Sequence, residues 1–269
     1  MPELPEMENY RLLLSEKITG RVITGVHINR EKSINVSILL FCDKVMNQTV
    51  ARIERRAKHL LFHLQNGRVL LLHLMLGGWI YFGREEDKPE RTIKVQLCFG
   101  DHHLYFIGLR LGYLHLYDGD SARQQLSDLG PEPLNGDFTL DMFLKMTAGK
   151  RGRLKMKLVD QQFISGIGNC YSDEICFHAK VLPTRDMNDL AQPEITQLYH
   201  SIRFILQQAI KHGGYMENPV YKGDSITGGS DALCKVYDRE GEKCSRCGAV
   251  IIKEIVSSRK VFYCGSCQK

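Results

Sequence analysis

Cys244-Ser245-Arg246-Cys247 and Cys264-Gly265-Ser266-Cys267 enclose sixteen residues near the end of the chain. Two CxxC pairs at this separation are a strong zinc signature, against which four unrelated cysteines is a weak alternative. Each pair supplies two thiolates from a tight turn, and four thiolates complete a closed tetrahedral site. No coordination position stays open, so one zinc ion is assigned to folding rather than to catalysis. Between the pairs, Ala249–Val256 and Lys260–Tyr263 are apolar-rich and separated by Ser257-Ser258-Arg259. That pattern reads as a β-hairpin whose base the metal clamps. Cys42, Cys98, Cys170, Cys176 and Cys234 are scattered and read as small apolar residues. From Cys234 onward eight basic residues face four acidic ones, so most of the formal charge of +5 sits there. A polyanion can dock on such a segment, although a solvated surface carries the same charge.

Upstream, Asn218–Ser230 holds Gly223, Gly228 and Gly229 and reads as a long mobile loop. Gly213-Gly214 closes a helical region that begins near Thr139. Inside it, Ile164-Ser165-Gly166-Ile167-Gly168-Asn169 interrupts one helix before a second starts at Tyr171. A helix, a glycine turn and a second helix can grip a DNA backbone with turn amides and a helix N-terminus, though a tight corner needs no ligand. Leu129-Gly130-Pro131-Glu132-Pro133-Leu134-Asn135-Gly136-Asp137 is the natural domain boundary. Before it the chain is β-rich. Val22–Ile28 alternates, Val69–Met75 is an apolar run, and Ile93–Phe99 and His103–Ile107 follow in the same style. Glu6–Ile18 is the exception, with Met7, Tyr10, Leu13 and Leu14 at helical spacing. The division expected is 1–130, 131–228 and 229–269, in the α+β class. With 43% hydrophobic and 25% charged residues the chain is an ordinary globular one, and disorder is excluded for its bulk. No run approaches the ~20 apolar residues of a membrane helix, and the start lacks a secretory signal, so a cytoplasmic location is expected.

Four signatures stand in order along the chain. They are Pro2-Glu3-Leu4-Pro5-Glu6, the Leu129–Leu134 hinge, Asp160-Gln161 followed by Gly166–Asn169 with Tyr171 and Glu174, and the four-cysteine hairpin. Together they resemble the formamidopyrimidine-DNA glycosylase / endonuclease VIII family, collinearly over essentially the whole length. The resemblance implies an N-terminal β-sandwich lobe with a leading helix, and a C-terminal helix–two-turns–helix lobe plus zinc β-hairpin, with DNA in the cleft between them. It also implies a base-excision-repair glycosylase/AP lyase, a monomer whose partner is double-stranded DNA carrying a damaged base or abasic site. Removal of Met1 frees the secondary amine of Pro2, which can attack C1′ and form an iminium ion, opening β- and then δ-elimination. The family pattern makes Glu3 the acid/base, Glu6 a second carboxylate supporting the amine, and Lys58 a lysine near the lesion and its 3′ phosphate. It makes His73, Arg110, Asn169 and Arg259 phosphate contacts, with Lys155 another family lysine. For His73 a core histidine, and for Lys155 a solvated charge, are the competing readings.

The departures concern lesion reading. Relatives specialised on 8-oxoguanine fill the hole left by the flipped base with a methionine, an arginine and a phenylalanine. Here Leu76, Leu109 and Leu111 hold those void-filling positions, and Met75 stands where a glycine is usual. The loop Val220–Ser230 lacks the usual Gly-Lys-Pro-Gly-Tyr-Phe-like sequence. Two other classes of function stay open at this point: a glycosylase-poor paralogue that binds damaged or distorted DNA, and an enzyme confined to abasic-site cleavage.

Overall fold

The computed structural model describes residues 1–269. They form two compact units, one of residues 1–128 with 212–229 and one of 129–211 with 230–269. No helix is long and apolar enough to cross a membrane.

The first unit begins with α1 (Leu4–Ile18), whose Met7, Tyr10, Leu13 and Leu14 are buried, as their three- and four-residue spacing requires. Strands follow as β1 (Gly25–Ile28), then, after α2 (Ile38–Val45), β2 (Val50–Arg56), β3 (His59–Leu64), β4 (Arg68–His73), β5 (Trp79–Gly83), β6 (Ile93–Phe99), β7 (His102–Ile107) and β8 (Tyr113–Asp118). They make two antiparallel four-stranded sheets, ordered β1-β6-β7-β5 and β2-β3-β4-β8. Strand side chains alternate between faces, so Leu60, Phe62 and Leu64 share one core with Val95, Leu97 and Phe99. Phe62 meets Phe106 of the other sheet edge-on, with ring centroids 6.3 Å apart. α3 (Gly119–Gln124) closes the run, its Ser121 amide capped by Asp118.

The second unit holds α4 (Leu140–Thr147), α5 (Leu154–Leu158), α6 (Asn169–Ala179), α7 (Gln192–Lys211) and the hairpin β9 (Ile252–Val256) with β10 (Arg259–Tyr263). The hairpin turn is Ser257-Ser258, both left-handed at φ 48° and 64°, which matches the twist of its strands.

The α+β class and the order of β-rich and helical parts are as the sequence implies; two boundaries differ. Residues 212–229 fold onto strands of the first unit rather than with the helices. Phe82 N donates to Val220 O at 2.6 Å, and Trp79 Nε1 donates to Pro219 O at 2.9 Å. The segment is also tied internally: Asp224 accepts from Val220 N, Ile226 N, Thr227 N and Thr227 Oγ1. Such a carboxylate-centred turn has no apolar periodicity by which sequence could place it. The zinc hairpin, in turn, shares a compact unit with the helices. Only Gly25–Ile28 of the alternating Val22–Ile28 pairs as a strand, because Val22 makes a lone bridge to Thr49.

Candidate functional site

Pro5 at the second position of α1 suits a helix start, where its missing N–H costs nothing. Pro2 and Glu3 lie just before the helix and are buried. Glu6 is buried too, and its two oxygens are committed: Oε2 accepts from Glu3 N at 2.8 Å and Oε1 from Tyr215 N at 2.9 Å. Glu6 therefore ties the residues around Pro2 to the 212–229 segment. Gly214 makes this possible, because at φ +77° an added Cβ would stand 2.3 Å from Glu6 Oε1. Tyr215 reaches the same place, with its hydroxyl 3.4 Å from Met1 O. Sequence reasoning read Gly213-Gly214 as a helix stop and missed Tyr215. A close backbone approach leaves no pattern except the glycine itself.

Lys58 rides on the β2–β3 hairpin beside Ala57, which is left-handed at φ 52°. Arg55 holds this turn, donating from Nη1 to Ala57 O at 3.2 Å and from Nε to Glu8 of α1 at 2.9 Å. Glu8 and Arg55 thus link the orientation of α1 to that of Lys58. Across β3–β4, the His59 and His73 rings meet at a 35° tilt with centroids 4.2 Å apart. Burial, then the neighbouring Lys58 charge, pushes the His73 imidazole down to about 4. His73 is accordingly neutral at neutral pH in the free protein.

The turn between α5 and α6 is built by Gln161. Its Nε2 donates to Val159 O and Ile167 O, while its Oε1 accepts from Gly166 N. That staple sets Gly168 at the N-cap of α6 and Asn169 in its first turn. The α6 N-terminus is a source of amide donors and positive potential. Asn169 Oδ1 is buried without a hydrogen-bond partner.

Lys155 does not lie where the sequence places it. It is 0% exposed, donating to Asp173 Oδ1 at 2.7 Å and to Asn169 O at 2.8 Å. It is neither a solvated charge nor placed to touch a phosphate; it holds the backbone of Asn169. Burial raises the Asp173 carboxyl, and the Lys155 ammonium opposes that rise. Lys155→Ala would leave Asp173 buried without its counter-charge, at a cost of about 3–5 kcal/mol. Chemical denaturation should show this loss, and a variant as stable as the parent would refute the pairing.

The four cysteine sulfurs lie within 4.8 Å of one another. Cys244 and Cys267 are 3.8 Å apart, and Cys247 and Cys264 3.4 Å. Zn–S bonds of about 2.3 Å in a tetrahedron require sulfurs about 3.8 Å apart, so the set fits zinc. Arg246 seats this cluster on α6, donating to Phe177 O at 2.6 Å with its guanidinium 3.9 Å from the Phe177 ring centre. Two adjacent buried acids of α6 complete the seat. Asp173 Oδ2 accepts from Phe262 N, and Glu174 accepts the amides of Lys235, Val236 and Tyr237. Arg259, the first residue of β10, and Arg110 are both exposed.

The three leucines separate. Leu76 is 63% and Leu111 59% exposed, whereas Leu109 is 0% exposed and belongs to the core. Leu109 is therefore not a void-filling residue in this structure: an apolar side chain gains by turning inward where an arginine would not. The loops around Leu76 and Leu111 touch, since an added Cβ on Gly108 would lie 2.3 Å from Gly77 O. Met75 is left-handed at φ 54°, which accounts for glycine as the more usual residue there.

Comparison with known proteins matches the chain in three segments. Residues 1–113 match the formamidopyrimidine-DNA glycosylase N-terminal domain, 129–218 its H2TH domain, and 241–269 the zinc finger found in FPG and IleRS. The chain is 35% identical over 274 residues to formamidopyrimidine-DNA glycosylase of Pelotomaculum thermopropionicum, covering 100% of this chain and 99% of that one. It is 34% identical to that of Carboxydothermus hydrogenoformans, with 100% of both covered. Among solved structures, a Lactococcus lactis FPG variant in complex with Fapy-dG-containing DNA superposes at a TM-score of 0.93, with 31% identity and all of both chains covered. The complex of Lactococcus lactis Fpg with abasic-site DNA also gives 0.93, at 31% identity and 99% coverage of each chain.

Proposed function

Because this chain belongs to the formamidopyrimidine-DNA glycosylase family, we propose that it excises a damaged base from duplex DNA and then cleaves the abasic strand. The observation that carries this reading is the buried Pro2–Glu3 start, tied by Glu6 to Glu3 N and Tyr215 N. Once Met1 is removed, the Pro2 nitrogen is a secondary amine. It forms a bond to C1′ as the C1′–base bond breaks, and the base departs with a proton. The amine proton is lost and the C1′–O4′ bond opens, O4′ taking a proton, which leaves an iminium that acidifies C2′. Loss of that C2′ proton breaks the C3′–O bond, and a second elimination breaks the C5′–O bond. Glu3 is the group assigned to these proton transfers. Lys58, His73, Arg110, Asn169 and Arg259 are proposed to hold phosphates, and the zinc to hold Arg259 in place. The action lies where the DNA is, which we take to be the cytoplasm and its nucleoid.

The lesion-reading parts point to weak dependence on the partner base. With Leu109 in the core, that position presents no guanidinium to an orphaned base, and Leu76 and Leu111 supply bulk without an aromatic face. Two-pronged reading of a base edge is worth about 1–3 kcal/mol, and that increment is missing here. Reading of abasic sites alone is favoured by the same burial of Leu109, so the test includes both kinds of substrate. Borohydride should trap the Met1-free protein on abasic-site DNA through Pro2, because an iminium reduces to a stable amine. Trapping that persists with the terminal nitrogen blocked would refute Pro2 as nucleophile. A screen over 8-oxoguanine, formamidopyrimidine, oxidised-pyrimidine and abasic duplexes should show partner-base preferences below about tenfold.

A further inference from the structure

No acidic residue lies between Asp141 and Asp160, yet six cations do: Lys145, Lys150, Arg151, Arg153, Lys155 and Lys157. Lys155 is used internally, against Asp173. Lys145, Lys150, Arg151 and Arg153 are exposed and Lys157 half-buried, and none of the five enters an ion pair with a neighbour. The segment carrying them is pinned through its backbone. Met187 N donates to Gly152 O, Leu154 N to Arg185 O, and Lys155 N to Pro183 O. Lys145, Lys150 and Lys157 line an open hollow of about 580 Å³ together with Met142 and Met146. Asp160 is the acid on its rim, and its Oδ1 is occupied by Gln162 N at 3.0 Å. Asp186 faces Arg153 across a backbone bridge without pairing with its side chain.

Five like charges held this close repel one another and gather counterions, so a polyanion that displaces those counterions binds favourably. Their spread along thirteen residues suits an extended phosphate chain better than a single small anion. The tract also adjoins the proposed DNA interface, because Lys157 lies two residues from Lys155, which holds Asn169 O. We propose that Lys145, Lys150, Arg151, Arg153 and Lys157 form a second phosphate-binding tract that grips duplex backbone flanking the lesion. This rests on the reading of duplex DNA as the partner.

The test compares the parent with a combined Lys145→Gln, Lys150→Gln, Arg151→Gln variant on duplexes of about 12 and about 30 base pairs. All three residues are exposed, and a thermal melt verifies the fold. On the long duplex the slope of log affinity against log salt should become shallower by about 2–3, at about 0.9 per lost phosphate contact. On the short duplex it should not change. Equal slopes for variant and parent on both lengths, or an equal loss on both, would overturn the tract. Single-turnover excision on the short lesion duplex at saturating protein should be unaltered. That rate reports on the chemistry proposed above, so failure of that chemistry would show in the parent, separately from the slopes.

Discussion

Cys244→Ser should release the zinc and reduce binding of duplex DNA to the non-specific range, with Kd about 10⁻⁴–10⁻⁶ M at physiological salt. Three sulfurs and a serine hydroxyl do not complete the tetrahedron, and metal binding in isolated finger peptides is worth about 10–16 kcal/mol. Ile252 and Ile255 of β9 are exposed, so that strand buries a limited apolar area, while Val261 and Phe262 of β10 are buried. The hairpin's other attachments include the bonds from Phe262 N to Asp173 and from Arg246 to Phe177 O, and the packing of Phe262 against Phe177 and Val236. The loss should therefore be local. Arg259 would no longer be fixed at the hairpin turn, while α6 and α7 stay packed on each other. Metal content by elemental analysis and affinity by titration check this together. A metal-free protein with undiminished affinity would show that zinc does not position the DNA contacts.

Glu3→Gln should lower base excision about 10²–10⁴-fold while leaving DNA affinity nearly intact. The amide keeps the volume of the buried carboxylate but cannot carry a proton. The hydrogen bond that Glu6 makes here goes to the backbone nitrogen of Glu3, which the substitution does not alter. Glu6→Gln is the informative contrast. Glu6 receives one amide on each oxygen, and a glutamine retains only one of those two acceptors. It should loosen the junction with Tyr215 and depress cleavage of pre-formed abasic sites together with excision. Single-turnover rates on lesion and abasic duplexes separate the two variants. If Glu3→Gln instead abolishes binding and spares excision per bound complex, the roles of these carboxylates are inverted.

Some of this site was open to reading from local sequence. Cys244, Cys247, Cys264 and Cys267 announce themselves because two thiolates three residues apart can share one ion whatever surrounds them. The spacing of Met7, Tyr10, Leu13 and Leu14, and the apolar residues of Ile93–Phe99, likewise fix a face by local geometry alone. Lys155 and Leu109 could not be read in this way. A lysine is equally a surface charge or a buried cation until Asp173, eighteen residues on, is seen beside it. A leucine placed where relatives carry an arginine is free to leave the loop surface, and only the packed core shows that it does.

The sequence by itself determined the family, the order of β-rich and helical parts, the zinc ligands and the candidate nucleophile, since each depends on residue type at short spacing. Tertiary structure alone decided that residues 212–229 return to the first unit, that Glu6 joins Glu3 N to Tyr215 N, and that Lys155 serves Asn169 from within. Apart from the local bond between Glu3 N and Glu6, those features are pairings across 14 to 209 residues of chain. Their energy comes from burying polar groups against distant partners, and neither composition nor periodicity records which partner a buried group will meet.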